Sequence, residues 1–466
     1  MHQNAETRLR DGTRISDLIN HETREVKVRT LSDPELYELE MERIFGKTWI
    51  FLGHETEIPN KGDFITRDMG SDAVIVARDR DGEIHVSLNV CPHRAMKVQT
   101  HDAGNTNVHM CIYHGWAFKP NGDFIGAPVE KECMHGNMTP KDQLGLKKAR
   151  VALYGGLIFA TWNIDGPSLE EFFGDAKYYF DTLFLRTKGG LEVLGPPQRF
   201  RINANWKTAC EQSAADGFHT LTLHRWLAEV GPYAKKPDAE GKGADLSPEM
   251  YGCEVWTDQG HALRCIDLDR KIVRLTGKNP AELTAVEKLT ALPPPGITPE
   301  MVPELLERFD DGQLQLMSWR PPQVGGFFPN GLFEFIYLPQ PDGTIVGACA
   351  LHAYIPKGPN QLEFMNWIFA EKDTPPELKA RMLRQSVQML GTSGMVEMED
   401  SDTWPHQTEV AKGAMAKTIT LKYQAKFDKG APEGWPGPGH VGDGFTKDDT
   451  QWAWWKYWHE LMTAEK

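Results

Sequence analysis

The sequence predicts an α+β protein with a small antiparallel β domain and a larger region of mixed strands and helices. Three observations lead to this fold class. The chain has 466 residues, which is too long for one ordinary hydrophobic core and indicates two or three domains. Between about residues 48 and 162, short β-rich runs alternate with turns. Beyond residue 166, strand-like segments alternate with helix-like segments.

The first third of the chain predicts one helix followed by antiparallel strands. Residues 31–45 carry apolar side chains at helical spacing, with Ser32 as the expected N-cap and Pro34 in the first turn. The β-rich runs that follow are separated by residues typical of tight hairpin turns. Two dipeptides carry this signal most clearly, Asp81-Gly82 and Asn121-Gly122.

The remainder of the chain predicts a mixed region. Its helices are expected at 205–227, at 375–390 and in the tail QWAWWKYWHELM, whose aromatic side chains we expect to pack in the core. Residues 231–250 are polar and contain several Gly and Pro residues, so they predict a mobile loop that is either a lid or a plain surface excursion. Strands are expected in three segments, QRFRINA, GLFEFIYL and TIVGACALHAYI.

Composition excludes several functional classes. The net charge of −14 argues against a nucleic-acid-binding protein. Because no apolar run reaches the roughly 18 residues that a bilayer requires, the sequence predicts no membrane span. The N-terminus has no apolar segment of the kind that secretory signals contain. Seven scattered cysteines do not form a disulfide framework, and we therefore expect a cytoplasmic protein.

The first group of candidate ligands is Cys91-x-His93 and Cys111-x2-His114, with seventeen residues between the two pairs. Such a set can bind zinc, but zinc fingers pair like ligands, whereas each pair here joins a thiolate to an imidazole. Mixed pairs are typical of a [2Fe–2S] centre that has two cysteines on one iron and two histidines on the other. Neutral imidazoles raise its potential to roughly −150 to +300 mV. His101 and His109 both lie between the two pairs, and both are expected on the surface.

The second group is Asp216, His219 and His224. Asp216 and His219 are three residues apart and can share a helix face, which is how a carboxylate orients a ligating imidazole. The two histidines are five residues apart and can face one metal only if the helix is bulged or ends between them. A facial triad for iron(II) also needs a carboxylate. The run VEMEDSDTW offers four, and the residues alone do not choose among them: Glu397, Glu399, Asp400 and Asp402.

Taken together, these motifs resemble the large (alpha) subunit of Rieske non-haem iron ring-hydroxylating oxygenases. The resemblance extends from about Phe45 to Trp404. It implies a small antiparallel β Rieske domain inserted in a larger catalytic domain, which has an antiparallel sheet flanked by helices. The implied boundaries are an N-terminal helical segment at 1–45 that packs on the catalytic domain, the Rieske domain at 46–165 and the catalytic domain at 166–466.

The resemblance also implies the roles of individual residues. Asp216 corresponds to the aspartate that links a cluster histidine of one subunit to the iron histidine of its neighbour. Glu399 and Thr403 depart from the residues that the family often has in its late acidic motif. The implied [2Fe–2S] ligands are Cys91, His93, Cys111 and His114. The implied ligands of the mononuclear iron are His219, His224 and Asp400. The implied pocket residues are Gln212, Ser213, Leu390, Met395 and Val396.

The function implied by the resemblance is that of a terminal oxygenase in a multicomponent system. Electrons from NADH arrive through a reductase, usually with a ferredoxin, and O2 is used to cis-dihydroxylate an aromatic hydrocarbon or aromatic acid. Monooxygenation, including O- or N-demethylation, is the alternative within this class. An electron carrier or a zinc-stapled binding protein without oxygen chemistry is the alternative from another class. The implied assembly is a trimer of alpha subunits, alone or with a small beta subunit as α3β3.

Overall fold

The computed structural model describes residues 7–128, 130, 138–225, 251–339, 344–391 and 393–464. Contacts divide the chain into two compact units, a smaller one formed by residues 40–169 and a larger one formed by residues 1–39 and 170–466. The smaller unit is therefore inserted in the sequence of the larger one, as the resemblance implies. The loop expected at 231–250 lies outside the described residues. None of the described helices is long and apolar enough to cross a membrane.

The described strands all pair in the antiparallel sense. Their bounds are β1 Ile19–Asn20, β2 Glu25–Lys27, β3 Ile50–His54, β4 Asp63–Met69, β5 Asp72–Arg78, β6 Ile84–Leu88, β7 Ala103–Asn105, β8 His109–Met110, β9 Ala117–Phe118, β10 Phe124–Gly126, β11 Arg150–Tyr154, β12 Leu157–Thr161, β13 Leu191–Val193, β14 Gln198–Ile202, β15 Gly252–Trp256, β16 Ala262–Ile266, β17 Pro322–Phe327, β18 Gly331–Pro339, β19 Ile345–Gly358, β20 Gln361–Glu371, β21 Thr420–Lys422 and β22 His440–Asp443.

The α-helices of the described ranges lie in the larger unit or at its border. Their bounds are α1 Pro34–Glu40, α2 Leu169–Phe173, α3 Ala176–Phe184, α4 Trp206–Gln212, α5 Asp269–Thr276, α6 Ala285–Ala291, α7 Val302–Arg308, α8 Asp311–Trp319, α9 Pro376–Leu390, α10 Glu397–Val410 and α11 Asp449–Thr463. The helices predicted at 375–390 and in the aromatic tail are confirmed. Four tryptophans of α11 are buried, which confirms their packing role: Trp452, Trp454, Trp455 and Trp458.

The described residues of the smaller unit form three antiparallel sheets, in the orders β6-β5-β4-β7, β11-β12-β3 and β10-β9-β8. Both predicted hairpins are confirmed, because Gly82 lies between β5 and β6 and Gly122 lies between β9 and β10. Buried aromatic side chains pack around two cysteine thiols in the core of this unit. The thiols belong to Cys91 and Cys111, and the aromatic residues are Phe64, Trp116, Phe118 and Phe124.

A nine-stranded antiparallel sheet forms the centre of the larger unit, in the order β13-β20-β19-β18-β17-β16-β15-β22 with β14 also paired to β20. The two long strands β19 and β20 are buried along nearly their whole length. Helix α9 packs on both of them, and α4 packs on β19. Burial of these strands explains why their sequences are almost continuously apolar rather than alternating.

The predicted helix at 31–45 begins later than its expected cap. Helix α1 starts at Pro34, and the chain continues as a π-helical segment over Met41–Phe45. The prediction that Ser32 caps the helix is wrong, because the Glu35 amide donates to Asp33 Oδ1 at 2.9 Å. The Ser32 hydroxyl instead donates to the Ala411 carbonyl at 2.9 Å.

The larger unit contains a buried ion pair whose removal we expect to be costly. Arg186 Nε lies 2.9 Å from Glu371 Oε1, and both side chains are 1% exposed. Thr187 donates a further hydrogen bond to Glu371 Oε2. Replacing Arg186 with Ala leaves the Glu371 carboxylate buried without its counter-ion, so we expect the free energy of unfolding to fall by about 3–5 kcal/mol. Urea denaturation monitored by tryptophan fluorescence measures this change.

A matched control lies two residues away. Lys188 pairs with Glu307 at 2.8 Å, but the side chains are 69% and 65% exposed. Because water screens this pair, Lys188→Ala should change the free energy of unfolding by no more than about 1 kcal/mol. Equal losses for the two variants would contradict the importance of the buried pair.

Candidate functional site

Two loops of the smaller unit carry the first group of candidate ligands, and both make the same turn. The Ala95 amide donates to the Cys91 carbonyl and the Cys91 amide donates to Met96. In the second loop the Gly115 amide donates to the Cys111 carbonyl and the Cys111 amide donates to Trp116. Ala95 and Gly115 occupy equivalent positions and both have left-handed backbones, with φ of 58° and 70°. Each loop therefore presents its cysteine and histidine from one tight, internally hydrogen-bonded turn.

The side chains of these loops form two like pairs. Cys91 and Cys111 are both buried. Burial, together with the neighbouring Cys111 thiol, raises the pKa of Cys91. The imidazoles of His93 and His114 are half-buried, with their ring centroids 4.5 Å apart. This donor set, with thiols paired inside and imidazoles paired outside, fits a [2Fe–2S] cluster that has two cysteines on one iron and two histidines on the other.

The two remaining histidines of this region differ from each other. His101 is exposed, as predicted. The prediction that His109 lies on the surface is wrong: its side chain is buried, and its Nδ1 atom lies 2.7 Å from Gln99 Nε2. Burial lowers the pKa of His109 to about 4. Its ring also contacts the face of Phe64. His109 is therefore a neutral core residue.

The second group of candidate ligands lies where helix α4 ends. The prediction of one helix over 205–227 is wrong, since α4 ends at Gln212 and Ala215 has a left-handed φ of 66°. His219 then opens a single 3-10 turn, and His224 follows it. On a continuous helix, His219 and His224 would point to different faces, because they are five residues apart. Since the helix ends before His219, both can face one point, and their imidazole centroids lie 5.0 Å apart.

The structure brings Asp400 to these histidines. Asp400 Oδ1 lies 3.6 Å from His219 Nε2, and Asp400 Oδ2 lies 3.4 Å from His224 Nε2. The three side chains can each offer one ligand atom within 4.8 Å of the others. Asp400 lies in the first turn of α10, whereas Asp402 on the same helix is 81% exposed. Two imidazoles and one carboxylate fit the facial triad of a non-haem iron(II) site.

Each histidine of this triad is also held by a carboxylate on its other nitrogen. His219 Nδ1 lies 3.1 Å from Asp216 Oδ2, and His224 Nδ1 lies 2.7 Å from Glu399 Oε2. Burial opposes ionisation of Asp216, but its hydrogen bond with His219 brings its pKa below the ordinary value. Burial opposes protonation of His224, but Asp400 and Glu399 together raise its pKa. These contacts direct both Nε2 atoms toward one point, as metal-binding imidazoles require.

Gln212 fixes the orientation of the Asp400 carboxylate. Gln212 Nε2 donates to Asp400 Oδ1 at 2.7 Å, and Trp404 Nε1 donates to Gln212 Oε1 at 2.7 Å. Thr403 donates to the Asp400 main-chain carbonyl. Because both ends of the Gln212 amide are engaged, the carboxylate cannot rotate without breaking a buried hydrogen bond.

A cavity of about 240 Å³ lies next to the triad. Three of the five sequence-predicted pocket residues line it, namely Gln212, Ser213 and Val396. The other two, Leu390 and Met395, instead belong to an apolar cluster that Val396 also contacts.

Sequence reasoning missed several cavity residues. Arg264 and Glu334 line the cavity from strands β16 and β18. A charge in the middle of an otherwise apolar strand run was the available signal, because a charged side chain there needs a polar surrounding. Aromatic and polar side chains complete the lining, including Gln323, Tyr354, Trp404 and Phe445.

Two family models match the chain. The Rieske [2Fe-2S] domain matches residues 48–148, and the ring hydroxylating alpha subunit (catalytic domain) matches residues 174–425, more than half of the chain. The first match covers both cluster loops. The second covers the triad and all the cavity-lining residues except Phe445.

Whole-chain comparisons agree with these matches. The chain is 34% identical over 412 residues to the biphenyl 2,3-dioxygenase alpha subunit of Rhodococcus jostii (strain RHA1), covering 87% of this chain and 82% of the relative. It is 33% identical over 375 residues to the N,N-dimethyl phenylurea N-demethylase alpha subunit of Sphingobium sp. (strain YBL2), covering 80% and 77%. The structure of naphthalene 1,2-dioxygenase from Rhodococcus sp. bound to indole superposes with a TM-score of 0.82 at 33% identity, covering 95% of each chain.

The family explains why one chain carries two sets of ligands. A Rieske domain holds a [2Fe–2S] cluster, and the catalytic domain of ring-hydroxylating alpha subunits holds a mononuclear iron. The geometry of the cysteine–histidine loops and of the His219, His224 and Asp400 triad fits these two groups. The chain therefore belongs to the ring-hydroxylating oxygenase family, as an alpha subunit with a Rieske [2Fe–2S] domain and a mononuclear-iron catalytic domain.

Proposed function

We propose that this alpha subunit is the terminal component of a system that adds both atoms of O2 to an aromatic ring. The balanced reaction consumes the arene, O2, NADH and one proton, and gives a cis-dihydrodiol and NAD+. The observation that carries the proposal is the triad of His219, His224 and Asp400 beside a cavity. Relatives named as biphenyl, benzene and chlorobenzene dioxygenase alpha subunits support it. Neither an electron carrier nor a zinc-stapled binding protein would need that triad.

We assign the residues as follows. Cys91, His93, Cys111 and His114 hold the cluster, and His219, His224 and Asp400 hold iron(II). The bound cluster supplies single electrons, and the bound iron supplies the site at which O2 is reduced. Asp216 connects His219 to the electron source, which is a cluster of a neighbouring alpha subunit.

The protein side chains contribute placement and exclusion of water. Asp216 lies 3.1 Å from His219 Nδ1, and Glu399 accepts a hydrogen bond from His224 Nδ1, so the Nε2 lone pairs of both histidines stay available. Gln212 holds the Asp400 carboxylate in one orientation. Apolar side chains of the cavity lining keep water from the reacting ring, including Ile266, Leu332, Ile336 and Val396.

We propose a ferredoxin or reductase, or both, as electron donors. An assembly with three alpha subunits allows electrons to pass between neighbours, either as an alpha trimer or as α3β3. The subunit names of the relatives support a multicomponent system. We propose a cytoplasmic location, because the reaction consumes NADH and the seven scattered cysteines fit a reducing compartment.

Monooxygenation is the second candidate function. The relative named as an N-demethylase alpha subunit matches this chain at 33% identity, close to the 34% of the biphenyl dioxygenase alpha subunit. Removal of an N-methyl group by oxidation needs only one oxygen atom in the organic product, with the other leaving as water.

The source of product oxygen separates the two functions. Turnover of an aromatic substrate under 18O2 should give a product that contains two labelled oxygen atoms, measured by mass spectrometry. The same reaction in H2 18O under ordinary O2 is the control and should give none. A product with a single atom from O2 would contradict dioxygenation and favour the monooxygenase function.

Removing the triad carboxylate should abolish the mononuclear iron site. Asp400→Ala deletes one of three ligands, so iron affinity and turnover should each fall by more than about 100-fold, while the visible absorbance of the cluster stays unchanged. Asp402→Ala, on the same helix and exposed, is the matched control and should retain both. Retained iron in Asp400→Ala would mean that another carboxylate completes the site.

The proposed link through Asp216 predicts a separation of metal content from turnover. Asp216→Ala removes the carboxylate at His219 Nδ1. At saturating iron we expect both metal centres to be occupied, but NADH-driven turnover should fall by more than about 100-fold, because the electron path is interrupted. Iron analysis and product formation measure the two effects. Normal coupling of NADH oxidation to product in this variant would show that electrons do not pass through Asp216.

A further inference from the structure

Two charged side chains, Arg264 and Glu334, face the cavity beside the triad. Strand register places Arg264 opposite Val324, and Val324 opposite Glu334, so the three residues form one row across β16, β17 and β18. All three line the cavity. Neighbouring strands are about 4.8 Å apart, so the Cα atoms of Arg264 and Glu334 are about 10 Å apart, with Val324 between them. We call this row the polar wall.

The guanidinium of Arg264 has unused donors. Within the described ranges it makes no hydrogen bond and no ion pair, although four carboxylates act on it through charge from a greater distance. One of them, Glu254, lies opposite Arg264 in the ladder. A guanidinium has five N–H donors in a planar fork, and Arg264, which is half-buried and lines the cavity, can offer them to an acceptor there. The cavity is where such an acceptor can enter.

Glu334 offers the complementary group. Its side chain is 12% exposed, and its Oε2 atom is buried without a hydrogen-bond partner. His352 Nε2 lies 3.7 Å from this oxygen, too far for a hydrogen bond. A carboxylate accepts hydrogen bonds, so a donor that arrives in the cavity would satisfy it.

The cavity also has apolar lining residues. Ile336 and Val396 line it and pack against a buried cluster that comprises Leu338, Ala348, Ala350, Met389 and Leu390. The cavity therefore offers apolar side chains that suit an aromatic ring, together with a hydrogen-bond donor and an acceptor from one row of the sheet. A plain hydrocarbon would leave both charged groups unpaired.

We infer that the substrate is an aromatic compound whose ring carries an amide or urea group, with its carbonyl accepting from Arg264 and its N–H donating to Glu334. A carboxylate in the same place would satisfy Arg264 but would bring a second negative charge toward Glu334. The inference rests on the proposed oxygenase function, since it places the ring beside the triad. It goes further in naming the substrate class and the two specificity residues.

Direct binding to the iron-loaded, cluster-containing protein tests the inference without requiring turnover. Four probes of similar size separate the contributions of the carbonyl, the N–H group and a negative charge to binding affinity: acetanilide, phenylacetone, isobutylbenzene and phenylacetate. Acetanilide has both groups, phenylacetone has only the carbonyl, isobutylbenzene has neither and phenylacetate is an anion. By calorimetric titration we expect acetanilide to bind about 10- to 100-fold more tightly than isobutylbenzene, with phenylacetone between them.

Variants of Arg264 and Glu334 test whether these two residues cause the differences in affinity among the probes. Arg264→Met should remove the advantage of phenylacetone over isobutylbenzene, and Glu334→Leu should remove the advantage of acetanilide over phenylacetone. Glu334→Gln keeps an oxygen acceptor and should restore part of that second advantage. Isobutylbenzene affinity, iron content and cluster absorbance, unchanged within about 3-fold, show that each variant has folded.

Three outcomes would overturn the inference. Equal affinity for acetanilide and isobutylbenzene would mean that Arg264 and Glu334 serve only each other and the buried acids around them. Tightest binding of phenylacetate, lost in Arg264→Met, would assign an anionic substrate class instead. Loss of isobutylbenzene affinity in both variants would mean that Arg264 and Glu334 maintain the fold of the cavity rather than recognise a substrate.

The same probe separates this inference from the proposed function. Tight acetanilide binding without turnover would contradict the proposed function but not the binding site.

Discussion

The larger unit depends on the approach of one carboxylate, that of Asp400, to two imidazoles. This contact joins the end of α4 to the first turn of α10, and Gln212 on α4 secures it through a hydrogen bond to Asp400. The surrounding acids, Asp216 and Glu399, sit behind the imidazoles rather than beside the carboxylate. So many buried acceptors around one point are costly without a cation, and a bound iron(II) ion removes that cost.

Candidate ligands that are close together in sequence could be selected from their spacing. Each cluster loop carries a histidine two or three residues after its cysteine, and this spacing selected the four cluster candidates. The third candidate iron ligand depends on long-range packing, and only the resemblance pointed to Asp400. Residue types alone left four carboxylates open as the third iron ligand, because only the meeting of α10 with the His224 region separates Asp400 from Asp402. The prediction of one helix over 205–227 was wrong because the chain leaves the helix before Ala215, whose left-handed backbone has no clear signature in sequence.

The sequence also did not reveal that two charged side chains face the cavity, because strand register brings them there. Arg264 and Glu334 are 70 positions apart and meet the same cavity only through the pairing of β16, β17 and β18. Glu334 and His352 are both buried in surroundings of low polarity. Burial, and then the charge of Asp400, raises the pKa of Glu334 to about 7, and burial lowers that of His352 to about 3. A substrate that engages Glu334, which lines the cavity, therefore changes the electric field inside it.

The matching turns at Cys91 and Cys111 affect how the cluster site is assembled. Each turn closes its two backbone hydrogen bonds inside its own loop, and the residue that needs a left-handed backbone is already accommodated there. Because each loop makes these hydrogen bonds from its own backbone, the fold of the smaller unit would hold Cys91, His93, Cys111 and His114 in position for a [2Fe–2S] cluster. Less conformational entropy would then be lost when the cluster binds.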